Sequence, residues 1–526
     1  MRGVGRALTG GHRSDCNVAA MEIREVAVVG LGTMGAGIAE VFARAGISVI
    51  ALEVDSEALN RGMSVLDASL SRAVDRGKLA AHQQAEIRGR IRPAAGFSEA
   101  AAADLAIEVV PERLEIKRQI LAELDRVCSP DAILATNTSS LSVTAIAAAS
   151  KHPERVIGMH FFNPAPVMRL VEVVSTVLTR AGIPEAAADL ARRLGKTPVL
   201  LGDRAGFVAN ALLLPYLNHA LRLLETGYAC GADIDTAATV GIGLPMGPLA
   251  LLDLIGLDTS LSVLEVLAAE FGSPRFTPAP LLRRLTAAGR TGRKAGRGIY
   301  DYVDQSVAAA DQEGNGAASA APDTVTLIGS GDEAEADLAG ALASAGINVT
   351  RNAAHPTDLV LVAAAAARPV LPAALSSGRP DQAVGLHVPG GLGEGNLAEV
   401  VRTRLSSEAA VESTAALACR LGLQTVRVPD RPCFLVGALL YPHLADAVRM
   451  VEDGYASATD IDTAMTLGCG YPQGPFELLD SAGPPKVLAG LQAMHAAYGY
   501  PAFAPPLLLA EHAAAGLGFA KVGPAH

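Results

Sequence analysis

Short blocks of Val, Ile, Leu and Ala punctuate the first part of the chain: Val26–Val29, Ser48–Leu52, Asp104–Val110, Ala132–Ala135, Val156–His160 and the LVEVV run that contains Glu172. Near-continuous apolar blocks of this length predict strands of a sheet covered on both faces. Between them, apolar positions recur at helical spacing, so strands and helices alternate as they do around a parallel sheet. Residues 57–92 carry a longer amphipathic stretch with several Arg and Lys, which predicts a helical hairpin inserted between strands. From Asp203 the pattern becomes helical throughout and runs to Tyr302.

The pattern then returns. FVANALLLPYLNHALRLLETGYACGADIDTA begins at Phe207, and FLVGALLYPHLADAVRMVEDGYASATDIDTA begins at Phe434, a shift of 227 residues. The same shift carries Pro248 to Pro475, Asp253 to Asp480, His160 to His387 and Glu172 to Glu399. It carries Asn210 to Gly437. A direct duplication of the helical segment follows.

The first apolar block leads into Gly30-x-Gly32-x-x-Gly35 and then a helical pattern ending at Gly46. Strand, tight glycine turn and helix together form a dinucleotide cradle, in which the helix N-terminus offers N–H groups to a pyrophosphate. The next strand ends at Glu53, placed to bind the adenosine ribose hydroxyls, with Asp55 as the neighbouring candidate. No Arg follows at once, so NAD is favoured over NADP. Glu112 and Lys117 follow the DLAIEVV strand. Thr136-Asn137-Thr138-Ser139-Ser140 follows the next one, as a polar pocket rim or as a helix cap. The strand after that delivers His160 to the same edge of the sheet, and Glu172 lies twelve residues on. Imidazole titrates near neutral pH and a carboxylate can fix its tautomer, so this pair suits a general base and its orienter. Ser69 and Arg76, seven apart on one helix face, could touch an anionic substrate group or belong to a solvated hairpin.

The expected organisation is α/β plus α. A terminal extension (1–20, taken as disordered) precedes an NAD-binding Rossmann-type domain (21–205) and a helical substrate or dimerisation-type domain (206–302). A small, polar linker (303–322), a degenerate Rossmann-like domain (323–430) and a second helical domain (431–526) complete it. The degenerate domain keeps Gly329 and Gly331 but has Ala334 at the third glycine position. Gly329 to His387 is 58 residues, against 130 from Gly30 to His160, so the second copy lacks the helical hairpin. It shows no counterpart of the Asn137–Ser140 rim either. His387 and Glu399 are expected to be a structural relic.

The bulk numbers narrow the class further. At 526 residues several domains are expected. A net charge of −11 without a dense Lys/Arg block argues against nucleic-acid binding. No apolar run reaches the ~18–20 residues of a membrane helix, and residues 1–20 lack a secretory h-region. Six scattered cysteines with no C-x-x-C pair point away from metal and disulfide frameworks and toward a reducing cytosol.

GLGTMGAGIA, NTSSL, HFFNPAPVMRLVEVV, DRAGFVAN, ETGYACGADIDTAATVGIGLPMGPLALLD and GRKAGRGIYDY together resemble the L-3-hydroxyacyl-CoA dehydrogenases, in particular the bacterial 3-hydroxybutyryl-CoA type, collinearly from about residue 24 to residue 302. The resemblance implies that Ser139, His160, Glu172 and Asn210 are catalytic. It implies that Gly30, Gly32, Thr33, Met34, Gly35, Glu53, Glu112, Lys117, Ser139 and Lys294 line the NAD site. Glu53 departs from the family's usual Asp but keeps the carboxylate. Ser69 and Arg76 fall where the family contacts CoA, Arg76 replacing a usual Lys; Ser139 and Asn210 also face substrate. The partner implied is an acyl-CoA, with no metal. Two-domain members dimerise through the helical domain, so a homodimer and a pseudo-dimeric monomer are both expected arrangements. Rival readings are a β-hydroxyacid dehydrogenase acting on a free acid, and a non-catalytic NAD-binding protein.

Overall fold

A computed structural model of the chain describes residues 22–303, 306–307, 321–329, 331, 333–351, 359–391 and 397–519. The expected extension (1–20) and nearly all of the expected linker (303–322) lie outside the described residues. The chain divides into two compact units: residues 1–138, 143–167 and 173–200 in the first, and 139–142, 168–172 and 201–526 in the second.

The strands of the first sheet are β1 (Glu25–Val29), β2 (Ser48–Leu52), β3 (Ile91–Ala94), β4 (Leu105–Glu108), β5 (Ile133–Thr136), β6 (Val156–Phe161), β7 (Leu170–Ser175) and β8 (Thr197–Gly202). They lie in the order β3-β2-β1-β4-β5-β6-β7-β8. The pairings from β3 through β6 are parallel. Val26, Ala27, Val28, Ile107 and Ile133 are fully buried, as a sheet covered on both faces requires. The strand order reverses at β1, which is flanked by β2 and β4, and ligands of open α/β sheets bind outside the carboxyl ends of the strands at such a point.

The predicted blocks all became strands. Two further strands were not predicted: β3, whose central pair is exposed, and β8, whose short apolar run Val199–Leu201 lies between Pro198 and Gly202 and leaves Leu200 exposed. In β3 the exposed pair is Arg92 and Pro93, and proline is tolerated only at edges such as this one. The hairpin is present as helices Ser56–Asp75 and Ala81–Gly89, parted near Gly77, whose φ of 67° suits glycine.

The second unit holds helices Ala209–Glu225, Pro248–Ile255, Leu257–Phe271 and Pro280–Ala287. After a ribbon of β9 (Tyr302–Val303) and β10 (Ser306–Val307) comes another sheet: β11 (Thr324–Ile328), β12 (Asn348–Thr350), β13 (Val360–Ala363), β14 (Ala383–His387), β15 (Leu397–Arg402) and β16 (Gln424–Pro429). Its order is β12-β11-β13-β14-β15-β16, with β14 and β15 antiparallel and His387 opposite Glu399. Val325, Leu361, Val384, Leu386 and Val400 form its core.

The helix Val436–Glu452 follows. It matches Ala209–Glu225 in length, and each carries an internal proline, Pro442 and Pro215, at the same place. Phe207 and Phe434, just before these helices, both have φ of 49°. The two helices pack together. Tyr216 and His443 meet with ring centroids 5.0 Å apart. His219 Nε2 lies 3.0 Å from the Ala438 carbonyl, and Arg275 is paired with Asp446 at 2.7 Å.

Candidate functional site

In the first unit, β1 runs into the glycine turn. Gly30 has φ of 94°, and a Cβ on Gly35 would lie 1.7 Å from the Gly30 carbonyl oxygen, so neither position accepts another residue without rearrangement. Gly32 differs: a Cβ there would meet no protein atom within 4 Å. It precedes helix Thr33–Arg44, and no side chain caps that helix start. Open space beside uncapped helix N–H groups is what a pyrophosphate requires. Thr33 and Met34 are the first two helical residues. Glu53 Oε1 accepts the Leu31 N–H at 2.6 Å, tying the end of β2 to the turn. Asp55 is occupied otherwise, capping helix Ser56–Asp75 by accepting the Ala58 N–H at 2.7 Å. These residues fit NAD.

Lys117 is fully buried in helix Leu114–Val127. Its Nζ donates to both oxygens of Glu108, at 3.2 and 3.1 Å, and to the Asn137 carbonyl at 2.9 Å, and lies 3.5 Å from Glu112. Burial raises the pKa of Glu108, and the Lys117 ammonium and the Thr136 hydroxyl act against that rise. Thr138 Oγ1 donates to Glu112 at 2.6 Å. Asn137 Oδ1 accepts the Phe161 N–H at 2.8 Å, beside His160. One buried cation therefore fixes the ends of β4, β5 and β6. His160 itself is buried at 4 % exposure, with its ring 4.4 Å from that of Phe162. Ser69 sits within helix Ser56–Asp75 and Arg76 ends it, half-buried and exposed respectively.

In the second unit, Glu172 is fully buried, and its Oε1 accepts the N–H groups of Val208 and Ala209, each at 3.1 Å, at the start of helix Ala209–Glu225. Asn210, in that helix, donates from Nδ2 to the Ser139 carbonyl at 3.2 Å. Ser142 Oγ donates to Asp203 at 2.7 Å. Three of the four residues with an expected catalytic role, Ser139, Glu172 and Asn210, are thus gathered around one helix start. Lys294 lies elsewhere in this unit, ion-paired to Asp258 at 2.6 Å.

The same unit contains the second His/Glu pair. His387 Nδ1 lies 2.6 Å from Glu399 Oε2, while Glu399 Oε1 accepts the Leu435 and Val436 N–H groups at 2.7 and 2.8 Å. At the second glycine turn, the Gly331 N–H donates to Glu335 Oε2 at 2.7 Å, and a Cβ on Gly329 would lie 2.4 Å from that same oxygen. A carboxylate of the chain itself sits where an anionic ligand would approach.

The residue missed from the sequence is Glu108. Its signal was present: a lone carboxylate inside an apolar strand, nine residues before a lysine in the next helix.

The 3-hydroxyacyl-CoA dehydrogenase NAD binding domain matches residues 25–204. The 3-hydroxyacyl-CoA dehydrogenase C-terminal domain matches residues 206–302 and 434–523. The 3-hydroxyadipyl-CoA dehydrogenase of Escherichia coli (strain K12) is 35% identical over 506 residues, 94% of this chain and 98% of that one. The 3-hydroxybutyryl-CoA dehydrogenase of Mycobacterium tuberculosis is 45% identical over 282 residues, 53% of this chain and 99% of that one. A crystal structure described as 3-hydroxybutyryl-CoA dehydrogenase from Escherichia coli K12 superposes with a TM-score of 0.80 at 34% identity, covering 94% of this chain and 99% of that one.

Proposed function

Since the chain belongs to the 3-hydroxyacyl-CoA dehydrogenase family, we propose that it interconverts (S)-3-hydroxyacyl-CoA and 3-oxoacyl-CoA, with 3-hydroxybutyryl-CoA as a short-chain substrate. NAD, held by the Gly30–Gly35 turn, Thr33, Met34 and Glu53, supplies the hydride acceptor. His160 takes the proton of the 3-hydroxyl at Nε2. Glu172 holds Nδ1, fixes the tautomer and steadies the imidazolium. Ser139 and Asn210 hold the hydroxyl and thioester oxygens, and Ser69 and Arg76 contact CoA. Lys117 acts through Glu112 and Asn137, which border the cofactor. Lys294 belongs to the same cofactor set by resemblance.

The observation that carries the assignment of His160 and Glu172 is the internal counterpart. Glu399 is anchored to its helix start as Glu172 is, and its other oxygen holds the imidazole Nδ1 of His387. Following NADH absorbance with acetoacetyl-CoA tests the reaction directly; no oxidation of NADH would sink it. A second substrate reading, 3-hydroxyadipyl-CoA, is favoured by the full-length relative that acts on it by name. Comparing kcat/KM for acetoacetyl-CoA and 3-oxoadipyl-CoA separates the two. A free-acid substrate would instead leave activity intact when CoA is replaced by a carboxylate.

In this reading the second half, residues 323–526, is a duplicated pair of domains whose nucleotide site has been closed by Glu335. Its helical domain covers the first one within the chain, in place of a second subunit. Expressed alone, residues 21–305 should then self-associate; a stable monomer would count against the idea. A reducing compartment, the cytoplasm, suits the free thiols of Cys128, Cys230, Cys419, Cys433 and Cys469. No described helix is long and apolar enough to cross a membrane.

A further inference from the structure

The second unit holds a cleft of about 1140 Å³ between its two helical domains. That is at the upper end of small-molecule pockets, which run to roughly 1,000 Å³. Neither Glu172 nor Asn210 lines it. Many of its walls come from positions related by the 227-residue shift, so the cleft has two comparable corners.

One corner is complete. The Arg204 guanidinium lies 4.8 Å from the centroid of Phe271 and 5.0 Å from that of Tyr455, and 3.3 Å from the Asp453 carboxylate. Rings flank the cation and a carboxylate neutralises it. At the other corner the shift places Arg431 for Arg204, Tyr498 for Phe271 and Tyr228 for Tyr455. Asp453 has no such counterpart, because Thr226 stands in its place. Thr226 Oγ1 already donates to the Arg222 carbonyl at 2.9 Å.

Arg431 is exposed and, among the described residues, makes no ion pair. Burial raises the pKa of the Tyr228 and Tyr498 hydroxyls, and the Arg431 charge acts against that rise, so both rings are within its electrostatic reach. Met450 and Met494, both buried, give the neighbouring wall an apolar and adaptable lining.

We propose that this second corner binds a small organic carboxylate with an apolar or aromatic body, whose carboxylate takes at Arg431 the place that Asp453 takes at Arg204. The planar guanidinium offers two parallel donors that match a carboxylate. The body of the ligand lies against Tyr228, Tyr498 and Met494. The site is separate from the catalytic residues and stands whether or not the substrate assignment does.

The probe is 2-naphthoate, titrated into the full chain under saturating NAD. The chain has no Trp, so naphthoate emission is read without overlap. Saturable binding at one site per chain is expected. Arg431→Ala should weaken it at least about tenfold. Thr226→Asp, which restores the carboxylate found in the other corner and keeps Arg431, should weaken it by a similar factor. Both variants should reduce acetoacetyl-CoA at the unaltered rate. Absence of saturable binding, or an unchanged affinity in either variant, overturns the proposal.

Discussion

Glu172 accepts the N–H groups of Val208 and Ala209, and 227 residues later Glu399 accepts those of Leu435 and Val436. Both carboxylates are fully buried. Around this shared anchor the two halves diverge. Asn210 becomes Gly437, where a Cβ would lie 2.9 Å from Cys433 Cβ and 3.2 Å from the Tyr441 ring. Side chains of the chain itself therefore crowd the position that in the first half carries an amide. Ser139 becomes Ala366, and the second glycine turn is answered by Glu335. The acid persists because two helix N–H groups would otherwise be buried without an acceptor, which costs about 1–3 kcal/mol. A His and Glu at conserved spacing can thus be a folding device, and catalysis needs the residues around them.

The same change made in both halves should separate them most widely. His160→Gln should lower kcat by about 10²–10⁴, the usual contribution of a general base, with NAD affinity retained. His387→Gln should leave kcat unaltered. Equal effects at the two positions would erase the distinction.

The nucleotide turns provide the next contrast. Gly35→Ala places a methyl group 1.7 Å from the Gly30 oxygen and must open the turn. A loss of NAD affinity of about tenfold or more is expected, since the backbone can no longer approach the pyrophosphate. Calorimetric titration of the unaltered chain should give one NAD per chain. Two would show that Glu335 does not close the second turn.

The carboxylates come next. Glu399→Gln keeps an acceptor but loses its charge, and should cost about 1–2 kcal/mol of stability in urea unfolding while kcat is preserved. Glu172→Gln should cost a similar amount of stability and also lower kcat. If Glu399→Gln proved neutral, the helix anchor would not explain why the acid is retained.

Legibility in the sequence followed the physics of each feature. The buried strands β1, β2, β4 and β5 announced themselves because both faces are covered and, apart from one polar residue at an end of each, their residues are apolar. The edge strand β3 did not, because Arg92 and Pro93 meet solvent, and β8 did not, because its apolar run is only Val199–Leu201, set between Pro198 and Gly202. The glycine turn was legible since a backbone constraint leaves a residue-type trace. The helical recurrence was plain as well, down to Pro215 and Pro442. What pattern could not show was which partners each group would find. Asp55 looked like a ribose ligand and caps a helix. Lys117 looked like a residue lining the cofactor site and lies fully buried against Glu108. Both outcomes depend on three-dimensional neighbours from other strands, which periodicity does not encode.

The smallest expected effect concerns the interface between the two helical domains, where Tyr216 and His443 occupy corresponding positions and face each other. His443 is buried at 1 % exposure, against Tyr216 and Tyr471, and burial pushes its imidazole down to about 4 from an ordinary 6.5. Asp446 opposes that shift and Arg275 adds to it. The unfolded chain therefore binds a proton at this residue below pH 6.5 while the folded chain does not until about pH 4. Stability conferred by the neutral ring is present above pH 6.5 and is lost as pH falls through that window. At pH 5.5 the loss from this single residue is about 1 kcal/mol. His443→Phe keeps an aromatic ring between the two tyrosines and has no proton to bind. Urea unfolding at pH 8 and pH 5.5 should show a fall in stability smaller by about that amount in the variant. His219, pushed to about 3 by burial and by the charge of Arg275, remains in both proteins and cancels. Equal falls would mean that His443 is already protonated in the folded chain, and the contact with Tyr216 would then be one between a ring and a cation.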